Sequence, residues 1–284
     1  PPGAWHAFLE ETEPGPWLVV GWLKSDRVSY LDVAAHQFGT LGAGNHFVEF
    51  SEAEDGELWI IVHSGSRGIG NAIAREHIKE AQRLCTAELE NRDLAFFESG
   101  DAMTRYILDM QWAQNYAWDQ RLAMLDAAFS VLGPSSRGIP VHCHHNYSEE
   151  KSPGVWLSRK GAVDASLGKL AVLPGSMGTD TFIVRGLGNP ESYDTAPHGA
   201  GRVSSRGRPA KGAKKATGAY ARFTVEEFKE RMESRGVVWQ DRDADNLLDE
   251  SPMVYQHIEV VLADSADLIE PVYRLQQIVN YKGV

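Results

Sequence analysis

Four short segments dense in Gly, Ser, Asn and Arg set His46, His63, His145 and His198 apart from the other six of the ten histidines. The segments are Gly44-Asn45-His46, Val62-His63-Ser64-Gly65-Ser66-Arg67, His144-His145-Asn146-Tyr147 and Pro197-His198-Gly199-Ala200-Gly201-Arg202. Imidazole can ligate metal, move protons or attack an electrophile near neutral pH. Glycine lets the backbone approach a ligand closely and take up positive φ. Imidazole nitrogen suits Zn, Mn, Fe or Ni. A lone histidine is usually a packed or surface residue, but four in such settings make a metal site shared by at least two an equal reading. No HExxH or CxxC spacing fixes the geometry. His6, His36, His77, His142, His144 and His257 read as structural or surface residues. The loop Pro174-Gly175-Ser176-Met177-Gly178-Thr179 fits a phosphate cradle built from backbone N–H groups, and fits a tight turn equally well.

The elements that must position these residues follow from periodicity. Residues 1 to 36, rich in Pro, Gly and Trp, read as loop and edge structure. His46 to Phe50 alternates like a strand, and Leu58 to Val62 is a continuous apolar run consistent with a buried one. Ser64 to Gly70 reads as a Gly-rich turn. Asn71 to about Leu89 and Asp101 to about Leu132 are helical in pattern. In the second, Met103, Tyr106, Ile107, Met110, Ala113, Ala117, Met124, Leu125 and Ala128 recur at helical spacing, a stripe that reads as core rather than a cofactor box. Gly133-Pro134 stops it. Strand-like runs return at Leu170 to Leu173 and Thr181 to Arg185. Thr224 with Glu227 forms a capping box for a helix to about Ser234, with Gly236 as its stop. Val254 to Leu268 reads as a last helix. Strands flanking a helical insert at about 71–132 predict one α+β domain over 1–284, a β-rich core of packed sheets surrounded by helices.

With 284 residues, 43% of them hydrophobic, the chain can bury a sizeable core. It shows no membrane-spanning apolar run and no signal peptide. Two cysteines, Cys85 and Cys143, make no disulfide framework, so a reduced, cytoplasmic setting is expected. A net charge of −11 argues against nucleic-acid binding on average. Locally the balance reverses: Arg202, Arg206, Arg208, Lys211, Lys214, Lys215 and Arg222 fall in a stretch with no acidic residue. Such a run is either a solvated loop or a phosphate-backbone contact.

Taken together, the boxes resemble those of the RtcB family of RNA ligases. Gly39-Thr40-Leu41-Gly42-Ala43-Gly44-Asn45-His46-Phe47-Val48-Glu49 is similar to its GTLGxGNHFxE segment. His63-Ser64-Gly65-Ser66-Arg67-Gly68-Ile69-Gly70, His144-His145-Asn146-Tyr147, Arg159-Lys160-Gly161-Ala162, Pro174-Gly175-Ser176-Met177-Gly178, His198-Gly199-Ala200-Gly201-Arg202-Val203 with Ser205-Arg206, and Lys282-Gly283 follow in the family's order. The resemblance implies a Mn2+- and GTP-dependent ligase. It would join RNA 3′-phosphate or 2′,3′-cyclic phosphate ends to 5′-hydroxyl ends through a guanylylated histidine, in tRNA splicing or RNA repair. Carried over, His198 is the nucleophile, and His46, His63 and His145 are manganese ligands. Asn45 and Glu49 touch the nucleotide or its phosphate. Ser176, Ala200, Gly201, Tyr255 and Lys282 line the guanylate pocket, with Lys282 reading the base. Arg67, Arg202 and Arg206 hold RNA or phosphate. RNA ends, GTP and an archease-like activator are the implied partners. The basic run, following the nucleophile directly, then reads as an RNA-backbone contact.

One departure stands out. The family's Asp-x-Gly-Cys-Gly segment, source of two further metal ligands, has no counterpart before Gly39. The expectation is an N-terminally incomplete chain, or a paralogue that lost half its metal site. Two alternatives to the ligase follow: a non-catalytic RNA-binding paralogue, and a metal-dependent RNA end-processing phosphodiesterase needing no GTP.

Overall fold

Trp5 and Phe8 stand almost one turn apart and share a face of helix α1 (Pro2–Glu11). They meet Phe38, Trp112 and Tyr116 at ring-centroid distances of 5.5 to 6.2 Å. This aromatic cluster is the core of a helical unit formed by residues 1–42 and 62–135. The structure, a computed structural model, describes residues 2–12, 29–133, 138, 140–203 and 222–283. Besides α1, the helical unit holds α2 (Tyr30–Gln37), α3 (Arg67–Leu84) and the 32-residue α4 (Asp101–Leu132).

Two expectations fail here. The described parts of the first 36 residues are mainly helix, because burying Trp5, Phe8 and Ala34 outweighs weak local propensity. Ser64 to Gly70 is not all turn: α3 already begins at Arg67. The Gln37 side chain caps the Gly68 N–H at 2.9 Å, and a Cβ on Gly70 would collide with the Ser66 side chain. The long helix runs as expected and stops at Gly133, whose φ is +85°. Its buried face centres on Trp112, Tyr116 and Ala123, a stripe rotated from the expected one. Buried His77 on α3 and Asp109 on α4 meet at 2.8 Å, and Gln120 and Arg121 donate to the carbonyls of Gly65 and Ser64 at 3.0 Å each.

The second unit, residues 43–61 and 136–284, is built on one curled sheet in the order β2-β1-β10-β7-β6. These strands are β1 (Phe47–Ala53), β2 (Leu58–His63), β6 (Leu170–Pro174), β7 (Thr181–Gly186) and β10 (Ile269–Lys282). β9 (Val238–Trp239) lies parallel to β10 near its end. Two ribbons complete the unit: β3 (Asn146–Ser152) with β4 (Val155–Lys160), and β5 (Ala162–Asp164) with β8 (Thr195–Pro197). Helix α5 (Val225–Glu233) opens with the expected capping box, and Gly236 follows at φ +68°. α6 (Ala244–Leu247) and α7 (Ile258–Asp264) are short. The helix expected over 254–268 is therefore only seven residues long. The mixed helix and sheet content fits the α+β expectation.

Strand β10 is the spine. β1 pairs along its C-terminal half, and β7 and then β9 occupy its other edge. The register with β1 shifts between Phe50 and Ser51, so Ile278 is an extra residue opposite that step. A bulge changes strand parity, since side chains alternate faces with period two. Leu275 and Gln277 before it, and Asn280 and Lys282 after it, are all buried. They oppose Ala53, Ser51, Glu49 and Phe47 in turn.

Glu49, 1% exposed, is the polar knot of this face. Its carboxylate accepts from Ser51 at 2.7 Å, Thr181 at 2.9 Å, Gln277 at 2.6 Å and Asn280 at 3.4 Å, pinning β1, β7 and β10. Burial pushes its pKa up, against the lowering effect of those hydrogen bonds and of Lys282. An ionised carboxylate only accepts, so four donors suit it. Glu49→Gln places an N–H among those donors. It is expected to destabilise the fold by about 1–3 kcal/mol, read as a lower thermal midpoint. An unchanged midpoint would mean that the network adds nothing to stability.

Candidate active site

Gly161 joins β4 to β5 at φ +65°, a conformation that favours glycine. Its N–H donates to Asn146 Oδ1 at 2.9 Å, and the next amide, of Ala162, donates to the His145 carbonyl at 3.1 Å. β5 pairs with β8 so that Ala162 opposes Pro197, the residue before His198. The Gly161 carbonyl thereby lies 2.7 Å from His198 Nδ1. A carbonyl can only accept, so Nδ1 carries the proton and Nε2 keeps its lone pair. The His145 ring stacks on His198 with centroids 4.7 Å apart and planes 4° from parallel. Burial lowers the His198 pKa, more than the Gly161 hydrogen bond raises it. The result is a neutral imidazole of fixed tautomer and orientation, the form a nucleophile requires.

The segment after His198 is clamped to the 174–179 loop. Ala200 N donates to Pro174 O at 3.0 Å, and a Cβ on Gly199 would sit 2.9 Å from that same oxygen. Within the loop, Gly175 N bonds Asp180 O, Ser176 N bonds Thr179 Oγ1, Gly178 N bonds Gln277 Oε1, and Thr179 N bonds Ser176 O. Those four amides are engaged inside the protein, which favours the tight-turn reading over an amide phosphate cradle. Ser176 is partly exposed, its hydroxyl 3.2 Å from Thr179 Oγ1.

Downstream, residues 201–203 lie against 254–256. Arg202 and Tyr255 form an antiparallel bridge, with Val203 N to Val254 O and Gln256 N to Gly201 O at 2.9 Å each. Gly201 stands in this ribbon at φ +70°. The Arg202 guanidinium lies 5.3 Å from the Tyr255 ring centroid and donates to Asp249, to its carbonyl and, at 3.2 Å, to its side chain. Arg202 is thus tied to an acidic pair in this structure, not presented as an open phosphate grip. Lys282, 5% exposed, sits 4.7 Å from the Phe47 ring centroid and donates to Glu250 Oε2 at 3.1 Å. Burial and the Glu250 charge push the Tyr255 hydroxyl up to about 12. Neither Glu250 nor Gln277 was singled out by the sequence. An acidic residue five before a tyrosine and a glutamine in a polar strand carry no signal of their own.

The remaining expected residues lie on both units. His46 immediately precedes β1, its carbonyl accepting from Gly283 N at 3.0 Å, and Asn45 lies in the turn before it. Glu49 is held by the strand network described above rather than opening to solvent. His63 ends β2, and Arg67, at φ +57°, donates to Thr40 Oγ1 at 3.3 Å; both belong to the helical unit. Arg206, with Arg208, Lys211, Lys214 and Lys215 of the basic run, lies outside the described residues. Neither Cys85 nor Cys143 is in a disulfide. Among the described residues, no three or more His, Cys, Asp or Glu side chains form a group able to hold a metal ion. Imidazole suits manganese chemically, but these histidines are not gathered into a three-donor set. No helix of the described residues is long and apolar enough to cross a membrane.

The sequence is similar to those of several known proteins. The chain is 39% identical to the RNA-splicing ligase RtcB of Escherichia coli K12 over 280 residues, covering 92% of this chain and 65% of that protein. It is 28% identical to the tRNA-splicing ligase RtcB of Pyrobaculum aerophilum, covering 87% of this chain and 60% of that one. It is 27% identical to the RNA-splicing ligase RtcB of Mycobacterium tuberculosis, covering 87% and 65%. The chain therefore spans about two thirds of the length of these curated relatives. A family model described as tRNA-splicing ligase RtcB matches residues 21–283, and the chain belongs to that family.

Proposed function

We propose that the chain is the catalytic part of an RNA ligase that joins 3′-phosphate or 2′,3′-cyclic phosphate ends to 5′-hydroxyl ends, using GTP and Mn2+. The observation that carries this reading is His198 with Nδ1 held on the Gly161 carbonyl at 2.7 Å, which leaves Nε2 as the only ring nitrogen able to attack. Names of the relatives, RNA-splicing and tRNA-splicing ligases, support RNA as the substrate.

In the first step the Nε2 lone pair attacks the α-phosphorus of GTP. The bond to the β-phosphate oxygen breaks and pyrophosphate leaves. Nδ1–H stays on Gly161 and shares the positive charge that develops on the ring. An oxygen of the RNA 3′-phosphate then displaces the imidazole and takes the guanylate. The RNA 5′-hydroxyl finally attacks the activated phosphate, its proton is lost, and GMP leaves. When bound, Mn2+ would polarise phosphoryl oxygens, with His46, His63 and His145 as its imidazole ligands. Among the described residues no group of three metal donors is gathered. The competing reading is a non-catalytic RNA-binding paralogue.

Intact-mass measurement after incubation with GTP and Mn2+ separates the two. An acid-labile GMP adduct mapped to His198, absent in His198→Ala, is the expected result. No adduct on the native chain would select the paralogue. Transfer of GMP in His198→Ala would remove His198 from the nucleophile's role.

Because burial lowers the His198 pKa, the imidazole stays neutral below the ordinary histidine range. The rate of adduct formation is expected to fall with acidity, with its midpoint below 6.5, the ordinary value. A stopped-flow or quench series across pH 4.5–8, on the order of the range where histidine titrates, checks this. A midpoint above 6.5 would show that the attacking group is not in this apolar setting.

A further inference from the structure

Glu250 lies at the end of the turn Leu248–Glu250, only 3% exposed. Its Oε2 accepts from the Tyr255 hydroxyl at 2.8 Å and from Lys282 Nζ at 3.1 Å. Its Oε1 lies 3.9 Å from the Arg202 guanidinium, which is anchored on Asp249. One buried carboxylate therefore gathers groups from three separated stretches of chain: the segment after His198, the turn at 255, and the end of β10. No assigned role explains why a carboxylate should be buried there.

A lysine ammonium is a point charge on a stem of four rotatable carbons, and left alone it has no fixed position. Burying it without a counter-charge is strongly unfavourable, so its location is set by the carboxylate that meets it. Here the Phe47 ring supports the ammonium from another side, 4.7 Å away. A purine base distinguishes itself at position 6: guanine offers a keto oxygen that accepts, adenine an amino group that donates. An ammonium only donates, so it welcomes the first and repels the second.

We propose that Glu250 is the positioning residue that sets nucleotide selectivity, anchoring Lys282 and Tyr255 so that the ammonium meets a 6-keto purine and excludes a 6-amino one. The proposal rests on the reading above, in which Lys282 lines the guanylate pocket. Glu250 itself touches neither the base nor the phosphates; it acts through Lys282.

The test is equilibrium binding of GTP and of ATP, each in the presence of Mn2+, to the native chain, Glu250→Gln and Glu250→Asp, with thermal melts alongside. The native chain is expected to prefer GTP. Glu250→Gln is expected to weaken GTP binding about tenfold or more while ATP binding changes little, so the GTP:ATP ratio collapses towards one. Glu250→Asp keeps the charge but draws the carboxylate back by one methylene, and should lose a smaller share of the same ratio. Tyr255→Phe removes one donor from Glu250 and keeps the Lys282 pair; it carries the test if both carboxylate variants fail to fold, again through a reduced ratio. A lower melting temperature with an unchanged GTP:ATP ratio in the folded variants would overturn the proposal and leave Glu250 a purely structural residue. A native chain that forms the His198 adduct yet binds both nucleotides equally would also overturn it while the ligase reading stands. A native chain that binds neither and forms no adduct would take down the ligase reading, and this proposal with it.

Discussion

The sheet unit depends on a strand that must bury polar side chains. β10 is bordered by β1 along its C-terminal half, and by β7 and then β9 on the other edge. Its C-terminal half turns Gln277, Asn280 and Lys282 inward. Each such group costs stability unless it finds a partner, and the bulge at Ile278 is the device that supplies partners. Without the extra residue, Gln277 and Asn280 would lie on opposite faces. With it, both reach the Glu49 carboxylate, and Lys282 falls beside Phe47.

Two buried carboxylates divide the work along this strand. Glu49 is surrounded by neutral donors, and its burial raises its pKa. It fixes the strands, and through Gln277 it also fixes Gly178 in the loop that clamps the backbone after His198. Glu250 meets a lysine, a tyrosine and an arginine instead, so its charge is matched by cations. One network shapes the backbone around His198, and the other ties Lys282, Tyr255 and Arg202 to one carboxylate. A net charge of −11 says nothing about either, since a local pairing is insensitive to the sum.

Legibility followed side-chain chemistry. The long helix, the capping box at Thr224 and the apolar strands β2, β6 and β7 were readable because their periodicity and caps are local properties. β10 was not, because its inward positions in the second half are Gln, Asn and Lys, and a bulge breaks the alternation a pattern search needs. α1 and α2 were hidden by a Pro-, Gly- and Trp-rich composition whose helical state is imposed by aromatic packing between segments distant in sequence. At the site, the histidine boxes declared themselves through glycine and their order. Gly161 stood in a recognised box, but its purpose became visible only when β5 paired with β8 and brought its carbonyl to His198. Glu250 and Gln277 had no local signal at all; they act on groups tens or hundreds of residues away.

As the nucleophile proposed above, His198 faces demands that pull in opposite directions. A nucleophilic nitrogen must be unprotonated, which burial favours by penalising the cation. Attack then creates that positive charge, which burial penalises again. The Gly161 carbonyl resolves the conflict: it accepts a hydrogen bond from Nδ1–H in the ground state, fixing the tautomer, and its dipole stabilises the positive charge as bonding at Nε2 proceeds. It can do so without reorganising because Asn146 holds the Gly161 amide and the positive φ at Gly161 aims the carbonyl. A carboxylate in the same place would raise the imidazole pKa and favour the protonated, inert form. A backbone carbonyl on a glycine supplies enough dipole to help the charged state and too little charge to trap it.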